Sequence, residues 1–148
     1  MNQVMTLTKP NDPSIPARKF ARLIEVARAL KLTKQEGPSF HVSFILKGAK
    51  PIVIGTNSYT KRNMVSLRYK ATKHDGAYVA GVHSEMDSLG KIKYQDQENL
   101  TLVNIRIDNN GNLANSCPCP NCAYVLGRTP SIKKIFYSTS AGDFKRFP

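Results

Sequence analysis

Two short motifs constrain what this chain can fold into more than any other feature of its 148 residues. One is a histidine followed two positions later by a glutamate, His83 and Glu85. The other is a proline followed by two cysteines three positions apart, in the run Pro118-Cys119-Pro120-Asn121-Cys122. Imidazole nitrogen and thiolate sulfur are ligands that zinc prefers. A fold that brings the two motifs together would therefore create a zinc site.

Each motif is predicted to lie at the start of a helix. Apolar residues spaced i, i+4 and i+7 place the histidine and the glutamate on a helix that ends near Gly90. The cysteine helix is predicted to take Pro118 as its first residue, where the missing N–H of proline costs nothing, and to run to about Leu126 with Gly127 as its stop. Positions i and i+3 are neighbours on a helix, so both sulfurs would lie on one face. The positive end of the helix dipole favours thiolates there.

Three protein ligands, His83, Cys119 and Cys122, would leave a fourth zinc position open for water, as in catalytic sites. Zinc lowers the pKa of such a water from about 16 to roughly 7, and Glu85 would be close enough to move protons.

Two alternatives to a catalytic zinc site stay open at this point. Cys117 could close a structural Cys3His site, or the Cys-x-x-Cys pair could be a redox pair. An extracellular disulfide framework is disfavoured, because the three cysteines are odd in number and crowded.

Length and composition indicate one domain, residues 1–148, in which hydrophobic residues make up 41%. No apolar run approaches the roughly 20 residues that span a bilayer, which argues against a membrane protein. The N-terminus lacks the apolar core of a secretion signal. Reduced cysteines in a metal-binding pattern then predict a cytoplasmic location. A formal net charge of +12 predicts anionic ligands such as nucleotides or nucleic acid.

The pattern along the chain predicts a polar tail over residues 1–13 and a helix over 14–32 capped by Ser14. Alternating apolar residues predict a first strand over Phe40–Lys47. A second strand over Pro51–Gly55 would form a hairpin with it and, being apolar on both faces, would be central. Residues 56–79 form a predicted basic loop, whose interleaved tyrosines suit phosphate contact and base stacking.

Three more strands are predicted: Leu100–Ile107, Ile132–Tyr137 and a short one around Phe144. The connection over residues 140–142 is too short for a crossover, so the last strand should be antiparallel to the one before it. Strands that alternate with helices in the second half of the chain predict a mixed sheet with helices on its faces.

This order of elements, and the pairing of H-x-E with P-C-x-x-C, resembles the cytidine deaminase superfamily from about Phe40 to the C-terminus. The resemblance implies a three-layer α/β/α fold with a mixed five-stranded sheet. It implies Zn²⁺ held by His83, Cys119 and Cys122, with Glu85 as the catalytic proton shuttle. It also implies substrate contacts from three further residues. These are Asn57 in a Gly-x-Asn at the end of the second strand, Ser84, and Cys117 through its backbone carbonyl.

The resemblance further implies a hydrolase that acts on the C–N bond of a cyclic amidine. Zinc-bound hydroxide would attack the ring and convert cytosine to uracil in cytidine, deoxycytidine or their monophosphates. An antiparallel last strand is typical of relatives that act on free cytidine. Two alternatives remain: deamination of cytosine in single-stranded DNA or RNA, and a non-catalytic, zinc-stabilised nucleic-acid-binding module. Relatives commonly form dimers or tetramers, so a homo-oligomer is expected.

Overall fold

A mixed β-sheet with helices on both faces organises the chain. The computed structural model describes residues 14–33, 40–58, 83–93 and 98–148. The strands are β1 (Phe40–Lys47), β2 (Lys50–Thr56), β3 (Leu100–Ile107), β4 (Leu113–Ala114), β5 (Ile132–Ser138) and β6 (Phe144–Phe147). The helices are a 3₁₀ turn (Ala17–Phe20), α1 (Ala21–Thr33), α2 (Ser84–Leu89) and α3 (Pro120–Gly127).

The strand order is β2-β1-β3-β5-β6, and the two-residue β4 pairs with β3 beside this path. β3 and β5 are parallel, whereas the other pairs, including β5 with β6, are antiparallel. The parallel pair is joined by the segment that carries α3, as a crossover connection requires. The predicted mixed sheet of five strands with an antiparallel last strand is therefore confirmed, and β4 adds a short sixth strand.

Side chains of the central strands point alternately to the two faces of the sheet, so the core has two layers. Val42 and Phe44 of β1 and Val103 and Ile105 of β3 are buried on one face, where they pack with Leu23, Ile24 and Ala27 of α1. The residues between them face the other way, where Ile45 and Leu102 pack with Leu126 of α3. Because successive strand side chains point to opposite faces, the pattern in β1 and β3 fixes which helix lies on which side.

Two local expectations are wrong. The second strand was expected to be central because it is apolar on both faces. Among the described strands, β2 instead lies at one edge of the sheet, and Ile54 is 39% exposed. Ser14 does not cap a helix, because Ile15 instead pairs its backbone with Phe144 and the 3₁₀ turn begins at Ala17 without a side-chain cap. The predicted polar tail over residues 1–13 and the basic loop beyond Ser58 lie outside the described residues.

Gly55 of β2 lies directly against the backbone of α2. A Cβ atom built on this residue would lie 2.4 Å from the backbone nitrogen of Ser88 and 2.6 Å from the carbonyl oxygen of Ser84. Both neighbours are helix backbone atoms, which cannot swing away as a long side chain can. Gly55 therefore sets the spacing between β2 and α2.

Gly55→Ala should destabilise the protein by about 3 kcal/mol, because overpacking against a fixed backbone forces the elements apart. Gly127→Ala is the matched control, since a Cβ there meets no atom within 4 Å. Urea unfolding monitored by circular dichroism measures both changes. A Gly55→Ala protein as stable as the Gly127→Ala protein would contradict the close approach of β2 and α2.

Within the part of the chain that the structure describes, none of the helices combines the length and apolar character needed to cross a membrane.

Candidate metal centre

The starts of α2 and α3 meet above the sheet and bring three ligand-type side chains together. His83 occupies the N-cap position of α2, Cys119 that of α3, and Cys122 lies in the first turn of α3. His83 Nδ1 is 3.2 Å from Cys122 Sγ and 3.5 Å from Cys119 Sγ. All three ligand atoms lie within 4.8 Å of one another. The sequence-predicted ligands are thus brought into one cluster.

The spacing of these donor atoms fits zinc. Zinc bonds of about 2.3 Å to sulfur and 2.0–2.1 Å to nitrogen, arranged tetrahedrally, separate the ligand atoms by about 3.5 Å. The observed nitrogen–sulfur distances of 3.2 and 3.5 Å are close to this value. One imidazole and two sulfurs also form a donor set typical of catalytic zinc sites, in which a fourth position stays open.

The helix that carries the cysteines begins two residues later than the sequence indicated. Pro120, not Pro118, is the first residue of α3, and Cys119 is its N-cap. The Cys119 sulfur accepts a hydrogen bond from the backbone N–H of Cys122 at 3.4 Å. Either proline satisfies the sequence rule, since neither has an N–H to lose. Each proline also follows a cysteine, and the hydrogen bond from the Cys122 N–H identifies Cys119 as the cap that is used.

The environment of Cys119 favours its thiolate. Hydrogen bonds from the Cys122 thiol and from His83 lower the pKa of Cys119 to about 4, although burial opposes the shift. The hydrogen bond with Cys119 raises the pKa of His83. The hydrogen bond between the Cys122 thiol and Cys119 raises the pKa of Cys122, and burial adds to that increase. A thiolate already stabilised at Cys119 prepares the cluster for a cation, because a metal binds the deprotonated sulfur.

Glu85 lies beside this cluster in the first turn of α2 and is only 5% exposed. Its Oε2 accepts a hydrogen bond from Asn104 Nδ2 at 2.8 Å, and its Oε1 is 3.3 Å from the Ser84 hydroxyl. Burial raises the pKa of Glu85, although the hydrogen bond from Asn104 and the charge of His83 oppose this. A carboxyl group whose pKa is raised toward neutrality can both accept and donate a proton.

Asn104, in the middle of β3, was not identified from the sequence. It is 2% exposed, and its amide contacts Glu85, the backbone carbonyl of Ser116 and the hydroxyl of Ser43. Ser43 also contacts the Ser84 hydroxyl at 2.7 Å, so β1, β3 and α2 share one buried polar network. The one sequence signal that could have identified Asn104 is an amide side chain in the middle of a mostly apolar predicted strand.

Cys117 lies near the cluster but is not a member of it. Among the described residues, the group of mutually close ligand atoms contains only His83, Cys119 and Cys122. Cys117 is partly exposed, burial raises the pKa of its thiol, and its side chain hydrogen-bonds with Tyr137. This arrangement disfavours the closed Cys3His site, in which Cys117 would be the fourth ligand.

The other predicted substrate contacts have partners within the protein. Asn57 follows β2, and its Oδ1 accepts a hydrogen bond from the backbone N–H of His41 at 3.0 Å. The Ser84 side chain is buried and faces Ser43 and Glu85.

His41 is a neutral neighbour of the cluster. Burial, together with the nearby charges of Arg106 and His83, lowers the pKa of the His41 ring to about 4. Sequence reasoning had given His41 no role.

Solved structures with a similar fold include two deaminases. A dCMP deaminase from the cyanophage S-TIM5, in complex with dCMP and dUMP, matches with a TM-score of 0.54 and 15% identity, over 83% of this chain and 82% of that one. A cytidine deaminase from Mycobacterium leprae matches with a TM-score of 0.51 and 16% identity, over 86% and 92%. The chain has the cytidine deaminase fold.

The resemblance predicted from the two motifs is therefore supported by the whole architecture. No protein-family profile and no curated protein sequence matches the chain. At 15–16% identity the relationship is visible in the fold and not in the overall sequence. In this chain α2 and α3 pack together on one face of the sheet, and the His83, Cys119 and Cys122 cluster lies where these helices begin.

Proposed function

We propose that this protein is a zinc-dependent hydrolytic deaminase that converts cytosine to uracil in a nucleoside or nucleotide. The observation that carries the proposal is a buried glutamate beside a cluster of three ligand-type side chains. A structural zinc site is closed by a fourth ligand, whereas among the described residues Glu85 lies outside the group of mutually close ligand atoms. A carboxylate that is desolvated and hydrogen-bonded next to an open metal position is suited to proton transfer.

When held by His83, Cys119 and Cys122, zinc supplies a Lewis acid and a water whose pKa lies near 7. Glu85 would take one proton from water and pass it to the ring nitrogen of cytosine while the water oxygen bonds to the carbon that bears the amino group. It would then carry the second proton of that oxygen to the amino group, and the C–N bond would break to release ammonia. Asn104 holds Oε2 at 2.8 Å, whereas the contact of Oε1 with the Ser84 hydroxyl is longer, at 3.3 Å, so we assign the proton transfer to the less firmly held Oε1. The backbone carbonyl of Cys117 accepts a hydrogen bond from the amino group.

The two similar structures support a small substrate, since one is a dCMP deaminase in complex with dCMP and dUMP and the other is a cytidine deaminase. The antiparallel pairing of β6 with β5 favours the free nucleoside among these substrates, because relatives that act on free cytidine end in this way. Asn57 and Ser84 remain proposed substrate contacts. The homo-oligomer and the cytoplasmic location also remain predictions.

Deamination of single-stranded DNA or RNA is the second candidate. The formal net charge of +12 favours it, because a field of this size attracts polyanions. A non-catalytic zinc-binding module is the third candidate, and it would leave the buried Glu85 without a role.

A panel of cytosine compounds tests the three candidates together. We expect the zinc-loaded protein to release uracil-containing product from cytidine, deoxycytidine or one of their monophosphates with a kcat/KM at least about 10⁴ M⁻¹s⁻¹, and to act more slowly on single-stranded oligonucleotides. Chromatography of the products after timed incubation measures both rates.

Faster turnover of the oligonucleotide would replace the first candidate with the second. Tight oligonucleotide binding without turnover of any cytosine compound would overturn the enzyme proposal and favour the binding module. Binding through phosphate contacts should then weaken steeply with salt, because such contacts release counterions.

A further inference from the structure

We infer that Asn104 is a positioning residue, whose side-chain amide fixes the Glu85 carboxylate relative to the segment that leads into Cys117 and Cys119. The inference rests on the proposed function, because it assigns Glu85 the proton-transfer role. It concerns a residue of β3 that lies in neither sequence motif.

The contacts of the amide join two parts of the site. Asn104 Nδ2 donates to Glu85 Oε2 at 2.8 Å and to the backbone carbonyl of Ser116 at 3.2 Å. The main chain of Asn104 holds the same segment, since the Ser116 hydroxyl donates to the Asn104 carbonyl at 2.9 Å. One residue thus connects α2, which carries Glu85, to the residue preceding Cys117.

The orientation of this amide follows from its neighbours. A carboxylate oxygen and a carbonyl oxygen only accept hydrogen bonds, so both require the NH₂ group of Asn104. Its Oδ1 faces the Ser43 hydroxyl, which can donate. A rotated amide would place its oxygen against two acceptors, and the network therefore permits one orientation. A side chain with a single permitted orientation can hold its partners to a fraction of an ångström.

Packing alone gives no reason for an amide at this position. The strand neighbours Leu102, Val103 and Ile105 are fully buried and apolar. A buried amide stabilises a core little even when satisfied, and an apolar side chain of similar volume would fill the same space. The Asn104 NH₂ group donates to Glu85 and to the carbonyl of Ser116, which both belong to the candidate site. These contacts indicate that the amide orients groups of the site and is not needed to fill the core.

Asn104→Leu tests the inference with a side chain of the same branching and number of heavy atoms but no hydrogen-bond donor. We expect kcat for the preferred cytosine substrate to fall at least about tenfold, while KM changes by less than about threefold, because a misplaced proton shuttle impairs chemistry more than binding. Asn104→Asp, which has the same shape but brings an acceptor against Glu85, should also lose at least about tenfold in kcat.

Ser138→Ala is the matched control. Ser138 is a buried member of the same polar network, with its hydroxyl 2.9 Å from that of Ser116, but it makes no hydrogen bond to Glu85. This variant should lose stability and keep kcat within about twofold of wild type. An equal loss of kcat in Ser138→Ala and Asn104→Leu, at equal stability, would show a merely structural role and overturn the inference.

A second measurement is independent of activity. In the ¹⁵N-labelled protein, the side-chain NH₂ signals of Asn104 should exchange slowly with solvent and should shift in Glu85→Gln. Signals unaffected by Glu85→Gln would overturn the contact itself. If Asn104→Leu kept the kcat of the wild type, the inference would be overturned and the proposed function would stand. If the wild-type protein showed the predicted NMR shift but no deaminase activity, the proposed function would be overturned, and the catalytic role of Asn104 with it.

Discussion

Glu85→Gln should lower kcat for deamination of the preferred cytosine substrate by about 10²–10⁴-fold, the usual contribution of general acid–base catalysis. Glutamine has the shape of glutamate and can still accept the hydrogen bond from Asn104, but it cannot take a proton from water. Zinc content should stay at the wild-type level, because Glu85 is not a member of the ligand cluster. Steady-state kinetics and metal analysis of the same preparation check both expectations.

The stability of this variant should equal or exceed that of the wild type. Burial raises the pKa of Glu85, which means that the folded protein disfavours the charged carboxylate, and a neutral amide removes that cost. Glu25→Gln is the matched control, since Glu25 is an exposed helical glutamate of α1. Uracil-containing product formed at the wild-type rate by Glu85→Gln would eliminate the proposed mechanism.

Cys119→Ser should lose zinc and, with it, all deaminase activity, whereas Cys117→Ser should keep both. Cys119 is the N-cap of α3 and its sulfur is 3.5 Å from His83 Nδ1, so it contributes directly to the cluster. Cys117 lies outside the cluster, and the backbone carbonyl assigned to it is present in serine. Zinc stoichiometry after dialysis, and competition with a coloured chelator, distinguish the two variants.

The pair of cysteine variants also decides between an open and a closed site. If Cys117→Ser released zinc as readily as Cys119→Ser, zinc would be held by three sulfurs and a histidine. No position would then remain for water, and the enzyme proposal would fail. Retention of zinc by Cys117→Ser, together with its loss from Cys119→Ser, supports the open site.

Much of the fold could be predicted because local pattern and final environment agree in the central strands. β1 and β3 coincide with their predicted bounds, since each carries alternating or continuous apolar residues that the two layers bury. The short connection before β6 permitted only an antiparallel partner. The H-x-E and P-C-x-x-C motifs predicted the cluster, because a site that holds zinc needs particular residue types at short spacing.

The remaining features depend on contacts between residues distant in sequence, which no local pattern reports. β2 has the composition of a central strand, yet its neighbours place it at the end of the described sheet. Ser14 satisfies a capping rule, but pairing of Ile15 with Phe144 takes that segment to the sheet. The role of Asn104 arises from segments 12 and 19 residues away in the chain, where Ser116 and Glu85 lie.

The separation of the ligands along the chain has a consequence for how the protein folds. Cys119 and Cys122 are near one another in any conformation, but His83 is 36 residues from Cys119 and joins them only when α2 and α3 are packed on the sheet. Closing such a loop has an entropic cost that must be met before the full ligand set exists. The full ligand set therefore exists only once α2 and α3 have packed, and we expect zinc to slow unfolding more than it speeds folding.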